Sequence, residues 1–433
     1  MKRYIAIFFA SLLNVFLGYS QASSDIWDIL QDNADMSHRL GFQPYRVDSA
    51  KTRTIGLEVD ALAFFKDNEF DGNVQRGYSL PGVRLQPRLT YTPIDEIKLE
   101  LGLHATIYSG ANKYPCYVFH DIAKWKGDQY QPGAHLLPFF RATARFKAIT
   151  LAVGHIYGGA THGFVEPMYN PELILTDDPE MGFQMIVDTR RWHSDLWMNW
   201  QSYIFEESNH QEAFAVGWTQ NINVWKRKMQ DGKTHSLGIP IQLLIQHRGG
   251  EQDNSGLGVQ TIANGALGLA YEYQAPANRI VTGIQAEAMA MYCFQQSGNL
   301  WPFNSGPALW AKASVDFMRD LRVTAGFFSA KDFCSLYGSQ YFGTLSTKHA
   351  GGRFSSMNTA LIGIEYSRTF AQAYTIGAHL KAYICKTGSL TLPADDSHTE
   401  PYTIPGEFRT PFSFGVYFRC SPSFVLKRFG VAR

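Results

Sequence analysis

The sequence predicts an all-β fold, a transmembrane antiparallel β-barrel of about sixteen strands, in a range of about fourteen to eighteen. Apolar and polar residues alternate along one segment after another of the 433-residue chain, which is the period of a strand wetted on one face. The connections between these segments are alternately short and long, as in barrels that cross an outer membrane. After residue 22 there is no apolar run of the about 20 residues that a transmembrane helix needs.

Residues 1–22 are predicted to be a secretory signal peptide. Lys2 and Arg3 precede an apolar run that ends near Leu17, and the small residues Ser20 and Ala22 offer cleavage points. Residues 23–51 lack the alternation and are expected to form a periplasmic or lumenal segment, too short for a globular plug domain. The outer-membrane barrel is predicted over residues 52–433, because no linker divides this stretch.

The first crossing is predicted at residues 52–65, where Leu57 and Val59 alternate with Glu58 and Asp60. Residues 92–96 form a tight turn, and residues 109–133 a long loop. The connection at residues 225–235 falls where a short turn is expected but is longer, so it is the weakest point in the alternation of short and long connections. Later crossings are predicted at residues 237–246, 265–273, 280–292, 308–317, 321–328, 359–367 and 374–385.

A hairpin at residues 181–205 shows the pattern most clearly. Phe183 and Met185 share one face, Gln184 lies on the other, and after a short polar turn the rhythm resumes. The second face would leave amides and carboxylates unpaired in a dry core, so it is expected to line an aqueous lumen. The apolar face is expected to be rimmed by Trp192, Trp197 and Tyr203.

The last strand carries Phe412, Phe414 and Phe418 on one face and Ser413 and Arg419 on the other. Together with the strand and loop rhythm, this aromatic closing strand resembles that of the outer-membrane porins of Gram-negative bacteria. The resemblance is architectural, covers nearly everything after residue 51, and rests on no diagnostic motif. Beyond the strand, residues 424–429 either prolong it past a kink at Pro422 or indicate a different closing register.

The resemblance implies a passive channel for small hydrophilic solutes in the bacterial outer membrane, with outer-membrane lipid as its surroundings and a homo-oligomer as a possible assembly. Charged residues make up 18% of the chain, aromatic residues 14%, and the net charge is +1, which argues against a nucleic-acid partner. One alternative is a barrel with a closed lumen whose loops bind surface glycans or another protein. A third, less favoured, is an outer-membrane enzyme.

Inward-facing charges are the candidate constriction residues. Arginines on the second and fourth strands would form a basic arc, and acidic residues on roughly opposite strands would create a transverse field that selects hydrophilic solutes. Local pairing along the wall, which would only stiffen it, is the competing interpretation. The lumen candidates are Arg84, Arg88, Arg141, Arg145, Glu58, Asp60, Glu100, Glu272, Glu287, Asp316 and Glu365.

The loop at residues 158–179 is the third long loop, and in the porins that this chain resembles that loop commonly folds inward to narrow the pore. An ordinary surface loop is the alternative. Its candidate constriction residues are Glu166, Glu172, Asp177 and Asp178.

No catalytic constellation is evident in the sequence, so we expect no enzyme activity, no cofactor and no metal site. His193, Ser194 and Asp195 are consecutive, and consecutive strand residues alternate faces, so they cannot form a triad. Glu251 and Asp253 lack the full calcium-loop pattern. Loop or rim positions without a nearby nucleophile are expected for His120, His135, His155 and His162.

Five cysteines are scattered along the chain without a C-x-x-C pair, which argues against a zinc site. Four of them are expected near strand ends on one side of the barrel and could pair in an oxidising envelope, whereas Cys420 would be left over. Which pairs form is not determined by the sequence. The four are Cys116, Cys293, Cys334 and Cys385.

Overall fold

A computed structural model of the chain describes residues 36–108, 134–205, 208–250, 254–299, 301–318 and 320–430. The predicted signal peptide, Cys116, His120, Glu251 and Asp253 lie outside these residues. The described residues form a closed antiparallel barrel of 16 strands, as the sequence predicts.

Each strand of the barrel wall pairs with the wall strands before and after it in the chain, and four further short strands are associated with the long loops. The strands are β1 (Thr54–Glu69), β2 (Tyr78–Ile94), β3 (Ile97–Tyr108), β4 (Ala134–Phe146), β5 (Ile149–His155), β6 (Met181–Asp188), β7 (Trp192–Ser202), β8 (Ala213–Lys228), β9 (Thr234–Arg248), β10 (Gln260–Gln274), β11 (Val281–Ser297), β12 (Ser305–Phe317), β13 (Leu321–Ala330), β14 (Arg353–Phe354), β15 (Met357–Phe370), β16 (Tyr374–Thr387), β17 (Leu390–Leu392), β18 (Tyr402–Ile404), β19 (Phe408–Arg409), β20 (Phe412–Cys420) and β21 (Ser423–Arg428).

Alternation along the strands sorts side chains between the outer face and the lumen. On β3, Leu101 and Leu103 are 63% and 47% exposed, while the neighbouring Glu100 and His104 are each 1% exposed. Leu85, Val153 and Phe418 are likewise exposed on the outer face. A belt of exposed apolar side chains around a closed barrel is stable only against lipid, which places the protein in the bacterial outer membrane.

The turns at one end are as short as the pattern predicts. Only two residues, Lys147 and Ala148, join β4 to β5, and Lys147 has a positive φ. At the weakest point of the scheme, β8 extends to Lys228 and β9 begins at Thr234, so this turn is also short. The register shift between Asn223 and Trp225 on β8 interrupts the alternation, which explains why the sequence placed the end of the strand too early.

The barrel closes where β1 pairs with both β20 and β21. The backbone N–H of Val59 donates to the carbonyl of Pro422, so the pairing continues across the proline. Residues after the kink therefore prolong the last strand, which is the first of the two alternatives that the sequence left open.

Several small elements lie outside the barrel wall. Strands β14, β17 and β18 form a three-stranded sheet. The described residues also form three α-helices, α1 (Met36–Gly41), α2 (Gly159–His162) and α3 (Leu173–Thr176), and two 3-10 helices, Ser49–Lys51 and Gln340–Phe342. No helix of the described residues is both long and apolar enough to cross a membrane.

Candidate functional site

The N-terminal segment enters the lumen and is held there by arginines of the wall. Gln43 is buried, and its side-chain oxygen accepts hydrogen bonds from Arg88 at 2.6 Å and Arg141 at 2.9 Å. Arg419 donates to the backbone carbonyls of Arg39 and Phe42. The segment between α1 and β1 is thus lumenal, and it crosses the barrel near the end with the short turns.

The basic arc of the second and fourth strands pairs with carboxylates on adjoining strands. Arg141 lies 3.4 Å and Arg88 3.6 Å from Glu100, and Arg84 lies 3.7 Å from Asp60. Arg88 also lies 3.7 Å from Glu58. These contacts are the local pairing that the sequence allowed, and they neutralise most of the arc.

The acidic residues of the later strands are also paired locally. Asp316 accepts two hydrogen bonds from Arg322, Glu365 lies 3.7 Å from Lys381, and Glu287 accepts from Trp310 and lies 3.5 Å from Lys312. Glu272 accepts from Ser236. Arg145 lies apart, without a side-chain hydrogen bond or ion pair to the residues that the structure describes. A transverse field between arc and acids therefore stays a prediction.

The loop of residues 158–179 folds into the lumen and carries α2 and α3. The carboxylate of Glu172 is buried and accepts hydrogen bonds from Lys66, Tyr78 and Asn68. Two strands away across the barrel closure, Glu166 lies 3.6 Å from Lys381 of β16. The acidic residues of this loop thus bind several strands around the barrel and do not face the basic arc alone. Asp177 caps α3 through its backbone N–H.

The half of the lumen next to the long loops is filled by apolar side chains. Trp197, Trp310 and Phe328 point inward from β7, β12 and β13 and are at most 2% exposed. They belong to one packed cluster with Met168 of the first inward loop and Phe342 of the loop at residues 331–352. The expectation of a polar and open lumen is wrong for this half, because inward side chains here meet folded loops and not water.

A cavity of about 1050 Å³ occupies the other half. It reaches the ends of the short turns, where Asp320, Gln372 and Ser421 line it. Its wall carries polar and charged groups such as Lys98 and Glu287. The polar chamber expected from the sequence is therefore present in this half, and Phe164 and Val165 of the inward loop border it.

His162 lies between two carboxylates at the base of this cluster. Its Nδ1 is 2.8 Å from Asp195, its Nε2 is 2.6 Å from Glu180, and its ring stacks on Trp197 at 4.1 Å. Burial disfavours the charged ring, yet the Glu180 and Asp195 carboxylates outweigh it and raise the pKa of His162 to about 9. Its contact with Asp195 holds the inward loop to β7. Because the His162 side chain is fully buried, a substrate cannot reach it. Trp197, which the sequence placed at the rim of the outer face, instead lies within the lumen.

A second histidine and carboxylate pair lies at the mouth of the barrel. His135, at the start of β4, has its Nδ1 2.8 Å from Asp178 at the end of the inward loop. The two side chains are 30% and 24% exposed. Tyr108 of the neighbouring strand β3 donates to the carbonyl of Leu175 and holds the same loop against the wall. The two residues are 43 positions apart, so no local sequence pattern links them.

Two further histidine and carboxylate pairs are present. His193 lies 3.1 Å from Asp188 at a short turn, and His398 lies 3.1 Å from Asp395 in an exposed loop. His155 is buried and stacks on Phe139. Within the described ranges, no three His, Cys, Asp or Glu residues are arranged to hold a metal ion.

Several solved outer-membrane proteins resemble this fold. OccAB1 of Acinetobacter baumannii has 9% identity over 87% of this chain and 100% of its own, with a TM-score of 0.45. OccK8 (OprE) of Pseudomonas aeruginosa has 9% identity over 86% and 99%, with a TM-score of 0.44. OmpT of Vibrio cholerae has 10% identity over 85% and 97%, with a TM-score of 0.41.

No curated protein sequence matches the chain. One sequence family does, and its profile covers residues 47–429, which is the whole barrel with the end of the lumenal segment. The chain therefore belongs to the lipid A 3'-O-deacylase-type family.

Proposed function

We propose that this protein is an outer-membrane hydrolase with a closed lumen, which removes an ester-linked acyl chain from lipid A. The single observation that carries the proposal is the partly exposed pair of His135 and Asp178 at the loop end of the barrel, in a chain of the deacylase-type family. The loops at that end face the outside of the cell, and lipid A lies in the adjoining leaflet.

The geometry of the pair suits a general base. A carboxylate can only accept a hydrogen bond, so the Nδ1 of His135 carries the proton that it donates to Asp178. The Nε2 of the neutral ring is then the acceptor and can take a proton from water. Asp178 fixes the tautomer and stabilises the imidazolium that forms, as a carboxylate does for a catalytic histidine.

The reaction balances with water alone. The water oxygen forms a bond to the ester carbonyl carbon while its proton passes to Nε2 of His135. The bond between this carbon and the sugar oxygen then breaks, and the imidazolium returns the proton to the leaving sugar oxygen. The products are a free fatty acid and a lipid A with one hydroxyl restored.

The position of the pair gives access to acyl chains. Leu136, next to His135 on β4, is 67% exposed on the outer face, so the strand has lipid on one side and the pair on the other. A substrate whose sugar head rests on the rim would need to move only its ester across the top of this strand.

Replacing His135 with alanine, or Asp178 with asparagine, is expected to lower the deacylation rate at least about 100-fold, since each change removes the base or its tautomer control. The rate is measured by mass spectrometry of lipid A incubated with the purified barrel in mixed micelles. His193→Ala is the matched control, because it removes a histidine with the same kind of carboxylate partner at the other end of the barrel. Equal rates in all three variants and the unaltered protein would refute the assignment of the pair, and absence of any deacylation by the unaltered protein would refute the activity.

Passive diffusion of hydrophilic solutes is the second candidate function, and the cavity of about 1050 Å³ favours it. The packed cluster of Trp197, Phe328 and Phe342 opposes it, because apolar side chains buried against one another leave little room for water in that half of the lumen. We expect the reconstituted protein to give no stable conductance steps in a planar bilayer. Regular steps whose size rises with salt concentration would support the channel and refute a closed lumen.

A further inference from the structure

Two cysteine thiols meet where the second inward loop leaves the barrel wall. Cys293, near the end of β11, donates its Sγ hydrogen to the carbonyl of Asp332 at 3.2 Å. The Cys334 thiol in turn donates to the sulfur of Cys293. Asn264, the partner of Cys293 on β10, donates to the carbonyl of Cys334 at 2.7 Å, which fixes the loop backbone over the strand.

The loop that Cys334 anchors forms much of the apolar cluster that closes the lumen. Residues 331–352 contribute Phe333, Tyr341 and Phe342, each at most 1% exposed. The loop backbone also lies close to β12, because a side chain at Gly306 would meet the carbonyl of Asp332 at 2.1 Å. A covalent bond at Cys334 would therefore hold this layer to the barrel wall.

We infer that Cys293 and Cys334 form a disulfide bond in the mature protein, which staples the second inward loop to β11. The outer membrane is reached through the oxidising periplasm, where disulfides form and persist. In the reaction both thiols lose their protons, and two electrons pass to a protein disulfide of a periplasmic oxidase. One cysteine thiolate attacks that disulfide, and the second displaces the oxidase thiol to close the new sulfur–sulfur bond.

Cys385 and Cys420 serve as internal references. Cys385 is buried and contacts Thr359 and the sulfur of Met357. Cys420 ends β20 at the side with the short turns, far along the barrel from the loop cluster. Neither is within hydrogen-bonding distance of another described cysteine, and so both are expected to remain thiols.

The test is peptide mapping of the full-length protein extracted from outer membranes. The protein is unfolded without reductant in the presence of N-ethylmaleimide, digested, and analysed by mass spectrometry. We expect a linked peptide pair containing Cys293 and Cys334, with maleimide on Cys385 and Cys420. Maleimide on both Cys293 and Cys334, or a linkage of either to a different cysteine, would overturn the inference.

A second measurement uses the thermal shift of the folded barrel on electrophoresis gels. Reductant is expected to lower the unfolding temperature of the unaltered protein by about 5 °C or more, because the unfolded chain loses a crosslink. The control variant Cys385→Ser should show the same shift, and the double variant C293S/C334S should show none. If the double variant does not fold, the peptide mapping of the unaltered protein decides alone. An equal response to reductant in a folded double variant would count against the disulfide.

Discussion

Replacing Arg141 with methionine is expected to lower the free energy of unfolding by about 3–5 kcal/mol, the cost of breaking a buried ion pair from one side. Its guanidinium is 2% exposed and lies 3.4 Å from Glu100. It donates to Gln43 and to the carbonyls of His155 and Ile156 at 2.7 and 3.0 Å. Its removal leaves two carbonyls without this donor and leaves the buried Glu100 carboxylate with only Lys98 and Arg88 as its charged partners.

Arg141 also stacks 4.0 Å from the ring of Tyr157, so the methionine side chain replaces some of the packing but none of the hydrogen bonds. The measurement is urea unfolding in lipid vesicles, followed by tryptophan fluorescence. Arg145→Met on the same strand is the matched control, because the structure gives that side chain no hydrogen bond or ion pair among the described residues. We expect it to change stability by less than about 0.5 kcal/mol. If both variants lost the same free energy of unfolding, the loss could not come from the hydrogen bonds and ion pairs around Gln43, and the prediction would be wrong.

The outer face of the barrel could be predicted from sequence because lipid imposes one rule on it. Every residue that meets acyl chains must be apolar, whatever lies nearby in the chain, and so Leu101, Val153 and Phe418 reveal their orientation by alternation alone. Trp197 of β7 is the exception, because the sequence predicts it at the rim of this face and the structure buries it in the lumen, on the same side as Asn199. Alternation also does not show what fills the space inside.

The filling of the lumen depends on long-range contacts that no local pattern encodes. Trp310 of β12 and Phe328 of β13 can point into the lumen because Phe342, from the loop at residues 331–352, packs against both and shields them from water. Likewise His135 and Asp178 become a pair only when the first inward loop is folded against β4. The sequence marked Asp178 as a loop carboxylate and His135 as a rim residue, and both placements agree with the structure, but their contact depends on the fold of the loop.

The local pairing of the lumen charges has a consequence for function. Arginines that are already bound to Glu58, Asp60 and Glu100 cannot also attract a passing anion strongly. Their tight pairing around Gln43 makes the region a clamp for the N-terminal segment. The N-terminal segment occupies the lumen at the end with the short turns, and the packed loops occupy the other end. Both features support the proposed site at the rim of the barrel more than they support a pore.

Raising the pH from 6 to 9 is expected to weaken the barrel through His162. Both ring nitrogens face carboxylate oxygens, at 2.8 Å and 2.6 Å, and a neutral ring has only one N–H to offer, so the imidazolium is the form that the folded state binds. Despite complete burial, Glu180 and Asp195 raise its pKa to about 9, above the about 6.5 of an unfolded histidine. The stabilisation is therefore complete below about pH 6.5 and is lost as the pH rises through about 9.

The difference between the two pKa values corresponds to about 3 kcal/mol in the free energy of unfolding. Urea unfolding at pH 6, 7.5 and 9 measures it, in a range where lysine and tyrosine side chains scarcely titrate. His162→Gln should be less stable at pH 6 and should show a much flatter dependence, since glutamine cannot be protonated. The control His193→Gln should keep the full slope, because that histidine faces a single carboxylate, Asp188, beside the short turn between β6 and β7. A protein that is as stable at pH 9 as at pH 6 would mean that His162 is neutral in the folded barrel, and that the loop is held to β7 by packing on Trp197 alone.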